Sequence, residues 1–204
     1  MPARYRRPLL LAVPLAMATA CGDPAVIDTL IPERGFTVTT VAMEPALPLD
    51  STVQAVLAEP ARLQRGDIVL VRGQGGDTYV SRLIGLPGDT VALREGVVIL
   101  NGAPAGQVPR GTHTLAARGD IPAQTVRRLR ETLPGTAQGH DILDLKAMPG
   151  DDYGPVTLGP DAWFVLGDNR DFAADSRYQP MENGLGLVTA AQITRRVAPG
   201  SVAP

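Results

Sequence analysis

The sequence is poor in the residue types on which several common functions depend. Cys21 is its single cysteine, which excludes a disulfide within the chain. Aromatic residues make up only 4% and the net charge is -2, so neither stacking platforms nor a basic surface for nucleic acid is expected. The histidines His113 and His140 have no accompanying ligand pattern, so we expect no metal and no cofactor. Lys146 is the only lysine, which leaves one side-chain amine as a candidate base.

The N-terminus has the layout of an export signal. Arg4, Arg6 and Arg7 precede an uncharged, mostly apolar run over 8–20, which ends in small residues directly before Cys21. The run is too short to span a bilayer as a helix, which needs about 20 apolar residues. The segment 1–21 resembles a bacterial lipoprotein signal, in which the cysteine is lipidated. The alternative is an ordinary cleaved signal with an incidental cysteine; both predict an exported protein.

The rest of the chain has the pattern of short strands. The whole chain contains 22 glycines and 19 prolines, and 44% of its residues are hydrophobic, enough for one sizeable core. Short apolar or alternating runs are separated by turn residues, as in the Leu86-Pro87-Gly88-Asp89 segment. We therefore predict an all-β, mainly antiparallel fold. The predicted strands lie at 36–41, 53–57, 67–71, 79–84, 90–93, 97–100 and 163–166.

Changes in composition along the chain suggest its domain organisation. Residues 22–35 read as a tether, 103–159 as a smaller inserted cap domain rich in proline, glycine and polar residues, and 199–204 as a tail. The β core then consists of 36–102 together with 160–198. Few short helices are expected, at 123–133 and 189–196, and the Asp151-Asp152 pair is expected in a solvated loop.

Three segments, in this order, carry a family resemblance. They are Ala42-Met43-Glu44-Pro45-Ala46-Leu47, the Tyr79–Asp89 segment with its Gly-Leu-Pro-Gly-Asp end, and the Gly167–Arg177 segment that begins Gly-Asp-Asn-Arg. Together they resemble the conserved boxes of type I signal peptidases. The resemblance implies a signal-peptidase-like β core and, for the family, cleavage of signal peptides from translocated proteins.

The resemblance also implies that the catalytic machinery is missing. Family members pair a serine nucleophile with a lysine base, because a serine hydroxyl attacks only after a neighbouring base takes its proton. Here Ala42 stands at the nucleophile position, Ser81 at the base position and Ala173 at the position that supports the base. Thr40 stands at an oxyanion-hole position. No catalytic residue is therefore expected to be intact.

Other residues of the three boxes receive supporting roles by the same resemblance. Four are expected to form a groove for an extended peptide: Met43, Pro45, Tyr79 and Val80. Five are expected to form a structural charge network: Arg82, Asp168, Arg170, Asp175 and Arg177.

The two histidines lie outside the boxes. His113 and His140 are expected at the surface of the insertion.

Three functions remain open at this point. The first is an inactive homologue that binds extended peptides or signal peptides of exported proteins, or regulates an active peptidase. The second is an active signal peptidase of the serine endopeptidase type with altered catalytic residues. The third is a structural lipoprotein. Under each of them the chain is expected on the periplasmic or extracytoplasmic side, held to a membrane through lipidated Cys21 or released from it.

Overall fold

The computed structural model describes residues 33–201, which are almost entirely strands and turns. The only helices among them are three single turns of 3-10 helix, Pro60–Arg62, Pro180–Glu182 and Ala190–Gln192. The strands, in chain order, are β1 Glu33–Thr37, β2 Thr52–Leu57, β3 Ile68–Arg72, β4 Thr78–Gly85, β5 Thr90–Arg94, β6 Val97–Leu100, β7 Ala103–Pro104, β8 Gly106–Leu115, β9 Gln124–Thr132, β10 His140–Asp144, β11 Tyr153–Thr157, β12 Phe164–Leu166 and β13 Ile193–Val197.

The strands form three sheets, and every pairing between them is antiparallel. The largest has six strands in the order β1-β2-β13-β3-β4-β12. A second has the order β11-β5-β6-β7, and a third, formed within the predicted insertion, has the order β10-β9-β8. The prediction of an all-β, mainly antiparallel fold is therefore confirmed.

Both faces of the six-stranded sheet are covered by apolar side chains. Successive residues of a strand point to opposite faces, so the nearly continuous apolar run in β3 supplies both. Val69 and Val71 pack on one side in a cluster with Leu83. Leu70 packs on the other side with Met43, and all five side chains are almost completely buried. This two-sided burial fixes the register of β3 and β4, on which the site depends.

Both helix predictions are wrong, because pairing and packing in a sheet compete with the local preference for a helix and outweigh it. Residues 124–132 form β9, and 189–196 contain only one 3-10 turn before β13 begins at Ile193. Arginine and leucine favour helices in isolation. In β9, however, Val126 and Leu129 are buried while the strand pairs with a neighbour on each side, and this packing outweighs the local preference.

The structure also bears on the predicted segment limits. β1 includes 33–35 of the predicted tether, and β11 at 153–157, within the predicted insertion, pairs with β5. The export signal and Cys21 lie outside the described residues. Within 33–201, no helix has the length and apolar character needed to cross a membrane.

Candidate functional site

The three substituted positions line one cavity. Ala42, Ser81 and Ala173 are separated by up to 131 positions in the sequence, yet all border the same cavity of about 370 Å³, together with Thr40. We call it the Ala42 cavity. One wall of this cavity is the segment 36–42 and the other is the beginning of β4. The loop that follows β12 supplies Ala173 and closes one end. The fold thus brings residues from all three boxes to one cavity.

Within the described part of the chain, the first half of β4 has one unpaired backbone edge, which runs along this cavity. β12 pairs with β4 only at Arg82, Leu83 and Gly85. The Leu83 N–H donates to the Asp67 carbonyl over 2.8 Å, so odd-numbered residues of β4 direct their backbone groups toward β3. The N–H and C=O groups of Thr78 and Val80 therefore point away from β3, along the cavity.

Asn169 holds the cavity wall that contains Ala42. Its backbone N–H donates to the Ala42 carbonyl over 3.0 Å, and its side-chain amide donates to the Val41 carbonyl over 3.1 Å. Gly167 lies between the walls: a Cβ added there would stand 2.7 Å from the Ala42 oxygen and 2.2 Å from the Ala173 Cβ. Only glycine fits this close approach of two chain segments.

Two hydroxyls of the cavity lining, those of Thr40 and Ser81, are weakly engaged. The Thr40 hydroxyl accepts a long hydrogen bond from the Ala42 N–H, at 3.4 Å. Ser81 is only 3% exposed, and its hydroxyl makes no hydrogen bond to any residue of 33–201. Among the described residues that line the cavity, none is a lysine or a histidine. Among these described lining residues, no amine or imidazole is therefore available to take a proton from a hydroxyl.

The predicted groove residues separate into two pairs. Tyr79 and Val80 line the cavity. Met43 and Pro45 do not, which corrects their assignment to the groove: Met43 is 1% exposed and packs against Leu47 in the core, and Pro45 is half-buried outside the cavity lining. Met43 therefore anchors the Ala42 segment to the sheet.

Directly beside the cavity, the five charged residues of the boxes lie in buried ion pairs. Arg82 follows Ser81 in β4 and donates to both Asp168 carboxylate oxygens, with Nε at 2.7 Å. Asp175 accepts from Arg177 through two oxygens, both at 2.9 Å, and from the Gly167 N–H at 3.1 Å. Bidentate arginine–carboxylate pairs of this kind fix geometry as well as charge. They hold the β12 loop against β4.

Sequence reasoning missed two members of this network, both in the insertion. Glu131 of β9 is completely buried and pairs with Arg170. His140 of β10 places Nε2 at 3.3 Å from Glu131 and 3.9 Å from Asp168, so its side chain, 10% exposed, lies at the junction rather than at the surface as predicted. His113 is partly exposed and lies 3.1 Å from Glu44. No local signal marks Glu131, because its partner lies 39 positions away.

The charges around Glu131 change its acidity. Burial alone would raise the pKa of this carboxyl, but the Arg170 guanidinium and His140 outweigh burial and hold the pKa at about 2. Glu131 is therefore ionised at neutral pH, and the insertion contributes a fixed negative charge to the buried network.

An acidic cluster lies on the insertion side of the loop that follows β12. Carboxylate oxygens of Asp144, Asp151 and Asp171 lie within 4.8 Å of one another. Asp151 is 6% exposed, which corrects its placement in a solvated loop. Burial raises the pKa of Asp171, and its two acidic neighbours raise it further, while Arg127 pairs with Asp144. The sole lysine, Lys146, lies beside this cluster, whereas the Ala42 cavity has no lysine in its described lining.

Comparison with known proteins gives the same family throughout. The chain is 36% identical over 129 residues to signal peptidase I S of Bacillus subtilis strain 168, covering 63% of this chain and 54% of that protein. It is 31% identical over 171 residues to a signal peptidase I P of Bacillus subtilis subsp. natto, covering 78% and 76%. It spans about half the length of the first curated relatives it matches. A solved signal peptidase I from Enterococcus faecalis V583 is 23% identical and covers 70% of this chain and 97% of its own, with a TM-score of 0.35, too low to compare site geometries.

The family match extends over nearly the whole sequence. Residues 9–199 match the model of the family described as signal peptidase, peptidase S26. This range includes all three boxes and the insertion between the second and third. The chain therefore belongs to the signal peptidase family, peptidase S26.

Proposed function

We propose that this family member binds extended peptides of exported proteins in the Ala42 cavity and does not cleave them. The observation that carries the proposal is the convergence of Ala42, Ser81 and Ala173 on one cavity with no amine in its described lining. The nucleophile, the base and the residue that supports the base are replaced together in this one place. Such a site keeps the shape of a peptide groove and lacks the groups for acyl transfer.

The free edge of β4 supplies the binding mode. An extended peptide laid beside Thr78 and Val80 would pair with their backbone N–H and C=O groups, as in strand addition to a sheet edge. Backbone pairing gives affinity without sequence preference. Selectivity would come from the side-chain space beside Ala42, Ser81 and Ala173, which favours small residues.

The proposed place of action is the extracytoplasmic face of a membrane. The basic-then-apolar start of the chain and Cys21 support export followed by lipid anchoring. Treatment of expressing bacterial cells with a labelled fatty acid tests this step. Label should enter the wild-type chain and be absent from a Cys21→Ser variant, and equal labelling of both would refute lipidation at Cys21.

Purified protein and a fluorescent peptide with an Ala-x-Ala segment test the binding proposal. We expect saturable binding without cleavage. Ala174→Trp, which fills the cavity wall, should weaken binding at least about tenfold, whereas Ala117→Trp, at an exposed position of the insertion, should not. Absence of saturable binding would favour a structural lipoprotein instead.

The same preparation distinguishes a binding protein from a peptidase with altered catalysis. We expect no turnover of a signal-peptide substrate above that of a heat-denatured sample. Turnover by the wild type that is abolished in Ser81→Ala would show that Ser81 is catalytic and would overturn the inactive assignment.

A further inference from the structure

One end of the cavity carries a negative charge. Asp77 is the only charged residue among the described residues that line it. Its side chain is exposed and makes no ion pair within residues 33–201. The other lining side chains are apolar or carry a hydroxyl. The carboxylate is thus a lone negative charge beside a neutral groove.

Asp77 stands at a defined distance from the substituted catalytic positions. It directly precedes β4, and four positions separate it from Ser81. Residues two and four apart in an extended strand point to the same side, and each residue advances the strand by about 3.3 Å. Ser81 and Asp77 therefore mark two points on one side of the strand, roughly 13 Å apart.

A peptide strand added to the edge of β4 has the same rise and the same alternation. When one small residue of the peptide lies beside Ser81, the residue four positions away lies beside Asp77, on the same side. Building on the peptide-binding function proposed above, we infer that the groove selects peptides with a lysine or arginine four positions from the small residue. Asp77 is the specificity-determining group.

Charges elsewhere on the wall sharpen this assignment. The guanidinium groups of Arg34 and Arg195 lie 5.6 and 5.7 Å from the centroid of the Phe36 ring, which also lines the cavity. Asp77 remains the only carboxylate among the described residues that line the cavity, so the lysine preference is assigned to it.

Fluorescence anisotropy with a matched peptide set tests the inference. Each peptide carries one Ala-x-Ala segment, with lysine or glutamate placed either four positions before or four positions after one of its alanines. Both placements are needed because the direction of the bound strand decides which of them lies beside Asp77. A peptide with alanine at both positions measures the neutral affinity. At low salt we expect lysine to be preferred over glutamate at one of the positions by about two- to fivefold, the range of an exposed ion pair.

Substitutions at the site complete the test. Asp77→Asn should remove the lysine preference and Asp77→Lys should reverse it, each affinity being expressed relative to the affinity of the same variant for the neutral peptide. Asp120→Asn, which removes an exposed charge in the insertion outside the cavity lining, should leave the preference unchanged.

Two different failures can be distinguished. Equal affinities for lysine and glutamate peptides at both positions, or a lysine preference that survives Asp77→Asn, would overturn the role of Asp77 and leave the peptide-binding function standing. Failure of even the neutral peptide to bind would refute the proposed function itself.

Discussion

Ser81 and Arg82 are neighbours in β4, but they belong to regions of opposite character. Ser81 lines a cavity whose described lining contains hydroxyls and a single charged group, the Asp77 carboxylate. Arg82 enters a buried network in which arginines and carboxylates pair closely. The third box divides in the same way, with Ala173 in the cavity and Asp175 in the network. The ion pairs hold the walls of the site together, while the cavity positions Ala42, Ser81 and Ala173 carry small side chains.

Energetics explains why the two regions differ in this way. A serine or amine in the cavity can be replaced together with its partners at little cost, because no buried charge is left behind. Removing one member of a buried ion pair leaves its partner uncompensated, which costs far more. The fold therefore tolerates loss in the cavity and resists it in the network.

The largest effect is expected for Asp175→Asn in the network. Asp175 and Arg177 are 0% and 1% exposed at their side chains, so the substitution leaves a buried guanidinium without its countercharge. We expect a loss of about 3–5 kcal/mol in the free energy of unfolding, measured by urea denaturation. The exposed pair Arg62–Glu59 provides the control, since Glu59→Gln should cost less than about 1 kcal/mol. Similar losses in the two variants would contradict the contrast between regions.

The next effect is expected for Glu131→Gln, and it depends on pH. The folded-state pKa of Glu131 is about 2, below its ordinary value of 4.5, so its ionised form stabilises the fold above pH 4.5 and this contribution is lost as the pH falls toward 2. The shift corresponds to about 3 kcal/mol. Denaturation curves of wild type and variant should differ by roughly this amount at pH 7 and converge toward pH 2.

Exposed Glu33 provides the control for this pH dependence. Glu33→Gln should follow the wild type at every pH. A difference between Glu131→Gln and wild type that stays constant between pH 7 and 2 would show that Glu131 contributes through packing rather than charge.

A smaller effect is expected where the two regions meet, at Gly167. An alanine Cβ there would stand 2.2 Å from the Ala173 Cβ, so the walls of the cavity must move apart. Gly167→Ala should lower the free energy of unfolding by about 1–3 kcal/mol and weaken peptide binding. Gly159→Ala, with no atom within 4 Å of the added Cβ, should leave both unchanged. Unchanged peptide affinity in Gly167→Ala would separate this glycine from the groove.

The smallest effect is expected for Ser81→Ala inside the cavity. Because the Ser81 hydroxyl has no hydrogen-bond partner within 33–201, its removal should change the free energy of unfolding by less than about 0.5 kcal/mol. Ser176 is the matched control: its buried hydroxyl accepts the Val165 N–H over 2.9 Å, so Ser176→Ala should cost about 1–3 kcal/mol. Equal costs would mean that the Ser81 hydroxyl is engaged after all.

The sequence was sufficient for the antiparallel strands and for the family, because both depend on local patterns and ordered boxes. It was insufficient where a distant partner decides the outcome. Val126 and Leu129 lie in a strand because β8 and β10 flank them, and Glu131 is buried because Arg170 and His140 meet it there. No window of sequence around these residues contains that information.

Asn169 connects the insertion to the cavity wall. The Leu143 N–H of β10 donates to the Asp168 carbonyl over 2.8 Å, and the Arg170 N–H donates back to Leu143 over 2.9 Å, so both flanks of Asn169 are bonded to the insertion. Asn169 itself bonds the Val41 and Ala42 carbonyls. A ligand that pushes the Ala42 segment outward must therefore either break these bonds or drag β10 with it. The insertion thus stabilises the position of the cavity wall. A ligand that displaces this wall would also displace the sheet of the insertion.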